Sequence, residues 1–239
     1  MANICKNIIK KFFEYDPLIE TAAVRSVISR KKAVKSATCP FHEGDFLYLL
    51  IRDNKFRDCL ETGFKTGSTA LYMAFGVAKE KGSVTSICTD EPETAKIGLS
   101  LLADLDCLQF HTLINKNSNT ALPELFYSRK NFDLVYVDGW KTFDHLVMEI
   151  YFINQMLRKG GIIVLDDSYM PSVRKVILIL LRYYNYKEIS YVDYNQSYRI
   201  RASFVFQVQS IYAPYRAFEK TQNIDEQLPF KNWNFFRGI

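Results

Sequence analysis

Between residues 57 and 183, short apolar runs alternate with longer stretches whose hydrophobic positions recur every three or four residues. That pattern predicts strands over 57–62, 83–89, 108–114, 132–138 and 161–166. Helices are expected over 67–79, 92–104, 119–127, 143–158 and 171–183, with a further helix over 43–53 leading into the first strand. Alternation of this kind builds parallel βαβ units. Upstream, apolar and basic positions alternate at helical spacing over 4–32, which predicts one or two amphipathic helices, and Pro40 punctuates the connection. Downstream, KEISYVD (187–193) and SFVFQVQ (203–209) follow one another without a helix, predicting an antiparallel hairpin at a sheet edge. The expected organisation is an N-terminal helical extension over 1–42, one α/β domain over 43–209 and an aromatic-rich extension over 210–239.

Composition adds little to that outline but removes several alternatives. The 239 residues are 48% hydrophobic and 24% charged, enough for one domain with a well-buried core. No run of about 18 apolar residues occurs, so no membrane-spanning helix is expected. The start, MANICKNIIKKFF, carries lysines inside its short apolar stretch and no small-residue cleavage site, and does not read as a signal peptide. Five cysteines without a C-x-x-C pair suit reduced thiols, a cytoplasmic location and no zinc site. The net charge of +5 includes the basic run RSVISRKKAVK at 25–35. Such a run suits a solvated helix face or a phosphate contact, and no nucleic-acid motif accompanies it.

Chemistry concentrates in two blocks, DCLETGFKTGSTALYMA (58–74) and FDLVYVDGWKTFDHLVMEIYFINQMLRKGGIIVLDD (132–167). In the first, a strand ends in Glu61 and a Gly63-x-x-x-Gly67 turn opens a helix. Glycines there let a ligand approach the main chain, whereas a pyrophosphate-binding dehydrogenase would show G-x-G-x-x-G. In the second, neighbouring strands end in Asp138 and in Asp166-Asp167. Open α/β sheets bind ligands at the carboxyl ends of their strands. Three acids crowded there repel unless a cation separates them or one keeps a proton.

Together the blocks resemble class I S-adenosylmethionine-dependent methyltransferases, in particular the small-molecule O-methyltransferase-like group. Glu61, Gly63 and Gly67 fall on the family's E-x-G-x-x-x-G motif, Asp138-Gly139 on its post-strand-4 motif, and Gly160-Gly161 through Asp166-Asp167 on its strand-5 motif. The resemblance covers roughly 43–182. It implies a Rossmann-like α/β fold with a seven-stranded, mostly parallel sheet in the order 3-2-1-4-5-7-6 and helices on both faces. It also implies an S-adenosylmethionine site at Glu61, Gly63, Phe64, Gly67 and Ser68, with Asp90 at the ribose, Asn117 and Ser118 at the adenine edge, and Asp138 and Trp140 beside the cofactor. Some members bind magnesium through an Asp…Asp-Asp set, here Asp138, Asp166 and Asp167. Hard cations suit such oxygen donors. Open alternatives are Asp138 on the cofactor with Asp166-Asp167 capping the next helix, and Ser68-Thr69 or Ser118-Asn119 acting as caps.

Methyl transfer asks the protein to align the acceptor and remove its proton. Similar sequences place a histidine three residues beyond the aspartate of the Asp-Gly motif, where this chain has Lys141. A lysine is protonated at neutral pH unless buried or paired, which makes it a better anchor for an acidic substrate than a base. His145, one helical turn on, is a further catalytic candidate, and His42 and Glu43 stand where relatives close over the cofactor. The tail from Tyr212 and Tyr215 to Trp233 and Phe235 offers pocket walls, a homodimer contact or sheet packing. The expected acceptor is a small-molecule hydroxyl on a sugar or secondary metabolite. A cofactor-binding protein without turnover and an RNA methyltransferase are the competing readings.

Overall fold

The computed structural model describes residues 17–30, 39–89, 91–189 and 214–223. Two helices come first, α1 (Ala22–Arg30) and α2 (Phe41–Asn54). Strand and helix then alternate through β1 (Asp58–Thr62), α3 (Ser68–Val77), β2 (Ser83–Cys88), α4 (Pro92–Ala103), β3 (His111–Asn115) and α5 (Ser118–Tyr127). The series continues with β4 (Phe132–Val137), α6 (Phe143–Met156), β5 (Leu157–Asp166) and α7 (Pro171–Arg182), and ends with the strands β6 (Tyr186–Ile189) and β7 (Tyr215–Lys220). The strands form one sheet in the order β3-β2-β1-β4-β5-β7-β6, the order the resemblance implied. β1 to β5 run parallel and β7 is antiparallel to both of its neighbours.

Side-chain alternation explains why this sheet is covered on both faces. Along β4, Leu134 and Tyr136 enter one core while Val135 and Val137 enter the other, and β5 repeats the pattern with Ile162 and Val164 against Ile163 and Leu165. Helices α1 to α4 fill the first core and α5 to α7 the second. Strands buried on both faces read as continuous apolar runs, which is why β1, β4 and β5 were visible in the sequence.

The edge differs from expectation. Residues 203–209 lie outside the described residues, and the partner of β6 is β7, inside the 210–239 stretch set apart as an extension. Its pattern, YRAFEK, hides a strand because its polar residues are used internally. Arg216 is paired through two 2.6 Å hydrogen bonds with Glu188 of β6, and buried Lys220 donates to the carbonyls of Asn154 (2.6 Å) and Leu157 (2.8 Å). β5 also starts earlier than 161, at Leu157, because an irregularity in its pairing with β4 between Phe132 and Leu134 lets the chain turn at Gly160 (φ +78°) and resume.

At the N-terminal side, residues 1–16 and 31–38 lie outside the described residues, so only part of the basic run can be placed. Arg25 is not a free phosphate ligand: it bonds Asp45 Oδ2 at 3.1 Å and the Leu18 carbonyl at 2.6 Å, tying α1 to α2. Among the described residues no helix is long and apolar enough to cross a membrane.

Candidate active site

A crevice of about 500 Å³ runs along the carboxyl ends of β3, β2, β1 and β4, lined among others by Gly63, Cys88, Asn117, Ser118, Asp138, Trp140 and His145. A smaller cavity of about 160 Å³ adjoins it across Gly63, Lys65 and Asp138, and reaches Cys39, Glu43, Ser68 and Asp166. Strand order changes direction between β1 and β4, the place where an open sheet of this kind leaves room for a ligand.

The glycine turn shapes the floor between the two spaces. Gly63 has φ +98°, and a Cβ on it would lie 2.4 Å from the Asp138 carbonyl oxygen. The β1 and β4 loops therefore meet main chain to main chain, and no side chain can stand between them. Gly67 is the N-cap of α3 in a left-handed conformation, without a side-chain cap. Ser68 and Thr69 do not cap that helix. The Ser68 hydroxyl accepts from the Cys39 amide at 3.0 Å, and the Thr69 hydroxyl donates to Glu61.

Glu61 itself faces inward. It is fully buried, takes hydrogen bonds from Thr69 and from Ser86 (2.7 Å to Oε2), and is absent from the residues lining either cavity. Burial pushes its carboxyl up to about 8, with the two hydroxyl donors opposing. Ser86 also meets His111 Nε2 at 2.8 Å, and burial lowers that imidazole to about 4. Phe64 is buried, stacks on His111 with ring centroids 5.1 Å apart, and lines the smaller cavity.

At the β2–β3 end, Cys88 lines the crevice, and Asp90, the residue expected at the ribose, lies outside the described residues. Asn117, not Ser118 or Asn119, is the N-cap of α5, its side chain accepting from the Asn119 amide at 3.1 Å. Ser118 bonds His145 Nε2 at 2.7 Å. Trp140 lines the crevice and is 68% exposed, so it does not pack under the loop.

The three aspartates come together as expected. One carboxylate oxygen from each of Asp138, Asp166 and Asp167 lies within 4.8 Å of the others. Asp138 accepts from Lys65 and from Lys141, each at 3.1 Å, and Lys141 Nζ also donates to the Val137 carbonyl at 3.3 Å and lies 3.9 Å from Asp167 Oδ2. Burial and the neighbouring carboxyls of Glu43 and Asp138 push Asp166 up to about 9. Glu43, 2% exposed, is the fourth acid of the group: it accepts from Tyr136 at 2.7 Å, and burial raises it to about 7. The capping alternative fails, because Met170 is the N-cap of α7 and no side-chain cap is made there. His42 contacts Tyr215 (Nδ1 to hydroxyl, 3.1 Å) and not the crevice, and Tyr215 is a buried residue of β7 and not a pocket wall. Tyr212, Trp233 and Phe235 lie outside the described residues.

Three contributors were not singled out from sequence: Lys65, the acid role of Glu43, and Glu149. Glu43 had a readable signal, since it is an acid at the head of a helix that carries the apolar run FLYLLI at 46–51. Glu149 had one too, lying four residues beyond His145 on the same face of α6.

Comparison with known proteins agrees with this arrangement. Residues 60–168 match a family model described as a methyltransferase domain. An Arabidopsis thaliana protein provisionally named a caffeoyl-CoA O-methyltransferase is 26% identical over 129 residues, and the chain spans about half of that relative (54% of each). An O-methyltransferase of tomaymycin synthesis from Streptomyces achromogenes, solved with S-adenosylmethionine, superposes with a TM-score of 0.61 at 17% identity over 92% of this chain and 96% of its own. A Bacillus cereus O-methyltransferase solved with S-adenosylhomocysteine gives 0.61 at 14% identity over 91% and 97%. A Podospora anserina methyltransferase bound to the same product gives 0.63 at 14% identity over 92% and 95%. At these identities the structures speak for the fold, and the family model speaks for the domain. Residues 60–168 thus match a methyltransferase domain model, within a chain that has the fold of these methyltransferase structures.

Proposed function

We propose that the protein transfers the methyl group of S-adenosylmethionine to a hydroxyl of a small molecule, on a sugar or secondary metabolite, with Asp138, Asp166 and Asp167 holding a divalent cation such as magnesium. The observation that carries this reading is the crevice itself. It runs from the β2–β3 edge across the Gly63 turn and ends at a cluster of acids. The crevice can take an elongated ligand with a nucleoside at one end and an amino-acid group reaching the smaller cavity.

The donor set fits a hard cation. Glu43, Asp138, Asp166 and Asp167 face two ammonium groups, Lys65 and Lys141. Four acids less two bases leave two negative charges to be met by protons or by one divalent ion, and the elevated Asp166 carboxyl is the protonic solution to the same crowding. When bound, such an ion lowers the pKa of a hydroxyl that ligates it. Lys65 and Lys141 hold Asp138 from both sides and fix its carboxylate at the join of the two cavities. Lys141 is 14% exposed and held between Asp138 and the Val137 carbonyl, which supports reading it as the positive charge at the acceptor end.

Isothermal calorimetry with S-adenosylhomocysteine tests the cofactor half: folded wild-type protein binds it and Gly63→Val does not. Turnover on a panel of hydroxylated small molecules tests the rest. Chelator is expected to suppress methylation, magnesium or manganese to restore it, and Asp167→Asn to weaken the metal response more than cofactor binding. Full activity in chelator returns the aspartates to a metal-free role, and cofactor binding with no turnover on any acceptor leaves a binding protein.

A further inference from the structure

Glu149 is a carboxylate that the reaction as outlined does not use. It sits on α6 with no exposed surface, yet it borders the crevice, and a Cβ on Gly139 would stand only 3.2 Å from its Oε1. Thr62 donates to its Oε2 at 3.4 Å, while Oε1 has no hydrogen-bond partner among the described residues. What Oε1 does face is His145 Nε2, in a 3.3 Å ion-pair contact lying off hydrogen-bond alignment. The same nitrogen meets the Ser118 hydroxyl at 2.7 Å, and Ser118 lines the crevice at the β3 end.

An unpaired buried carboxylate oxygen is costly, and a cation beside it removes much of that cost. Glu149 accordingly raises the His145 imidazole above its ordinary value, with burial opposing. Whether Nε2 carries a proton then decides where the Ser118 proton points. A neutral ring with a bare Nε2 would take the hydroxyl proton, leaving Ser118 as an acceptor toward the crevice. A ring protonated at Nε2, which the facing Glu149 carboxylate favours, donates from Nε2 to Ser118 Oγ, and the serine proton is free to point outward.

We propose that Glu149, His145 and Ser118 form a relay that fixes the Ser118 hydroxyl as a hydrogen-bond donor to a ring nitrogen of the cofactor's purine, making Glu149 and His145 positioning residues for base recognition. The proposal rests on the methyltransferase reading above and adds a specificity device to it. Its chemical content is a preference for a purine that presents a bare ring nitrogen at this point. Sites built around a specific hydrogen bond reject ligands that lack the matching atom, because the site's own polar group is left unpaired.

The test pairs ligand atoms with residues. S-adenosylhomocysteine and its 1-deaza, 3-deaza and 7-deaza analogues are titrated by calorimetry into wild-type protein, Ser118→Ala, Glu149→Gln and His145→Gln. In the wild type one deaza analogue is expected to bind about tenfold more weakly than the parent, the scale of one lost hydrogen bond. That penalty vanishes in Ser118→Ala and shrinks in Glu149→Gln, because a His145 Nε2 left bare recaptures the serine proton. Nitrogen-15 shifts of His145 supply a readout that packing alone does not move: Nε2 carries a proton in the wild type and is bare in Glu149→Gln. An equal penalty in wild type and Glu149→Gln, no penalty for any analogue, or a bare His145 Nε2 in the wild type overturns the relay while leaving the cofactor assignment intact. Failure of folded wild-type protein to bind S-adenosylhomocysteine overturns both.

Discussion

Two residues show how far a side chain's surroundings can redirect its chemistry. Glu61 was read from sequence as an acid near the cofactor, yet it lies beneath the glycine turn with Thr69 and Ser86 as partners. Its proton is held in the folded state up to about pH 8 against an ordinary value of 4.5. The folded chain therefore binds more protons than the unfolded chain between those values, and by linkage stability falls as pH rises across that window. Glu61→Gln removes this ionisation. Melting curves of variant and wild type should diverge in the variant's favour between pH 5 and pH 9, and parallel curves would show that Glu61 is not titrating. Lys141 is the second case. Paired with Asp138 and close to Asp167, it is placed as an anchor, so Lys141→Ala should raise KM for the acceptor while kcat falls little, the pattern of lost uniform binding. A kcat collapse rescued by added amines would make it the proton acceptor. Neither environment can be read from neighbours in sequence, because Ser86 and Asp167 are each about 25 residues away from the side chain they affect.

Elements were legible in proportion to how little they depend on partners. β1, β4 and β5 announce themselves by apolar runs, and α3 and α6 by their turns and periodicity, so the strand ends carrying Asp138 and Asp166 could be placed from sequence. β7 could not, since its lysine and arginine look solvent-bound until α6 and β6 are in place. Lys220 caps the last turn of α6, where the carbonyls of Asn154 and Leu157 would otherwise lie buried without donors. Burial lowers this amine to about 8. Lys220→Ala is expected to cost about 1–3 kcal/mol in urea unfolding, the scale of orphaned buried polar groups. Lys220→Gln, which keeps a donor, should recover part of it. A cost within error for both would mean that water reaches these carbonyls.

At the scale of the whole sheet, α2 and β7 meet beside the acid cluster. Tyr215 of β7 lies opposite Asp166 in the sheet and contacts His42 of α2, the residue before Glu43. Order of synthesis gives that arrangement a consequence. Chains emerge N-terminus first, and domains generally fold as units. When β5 and β6 have been made, the slot between them still waits for residues 215–220, so β5 presents bare amides and carbonyls along one side. An unpaired strand edge is a template for other chains. A polypeptide stopped at residue 213 should therefore self-associate and bind no S-adenosylhomocysteine, and a synthetic peptide spanning 214–223 added in trans should restore solubility before it restores binding. Assembly of the acid cluster thus waits on a segment made after the rest of the sheet, which delays the candidate site until the sheet around it is closed.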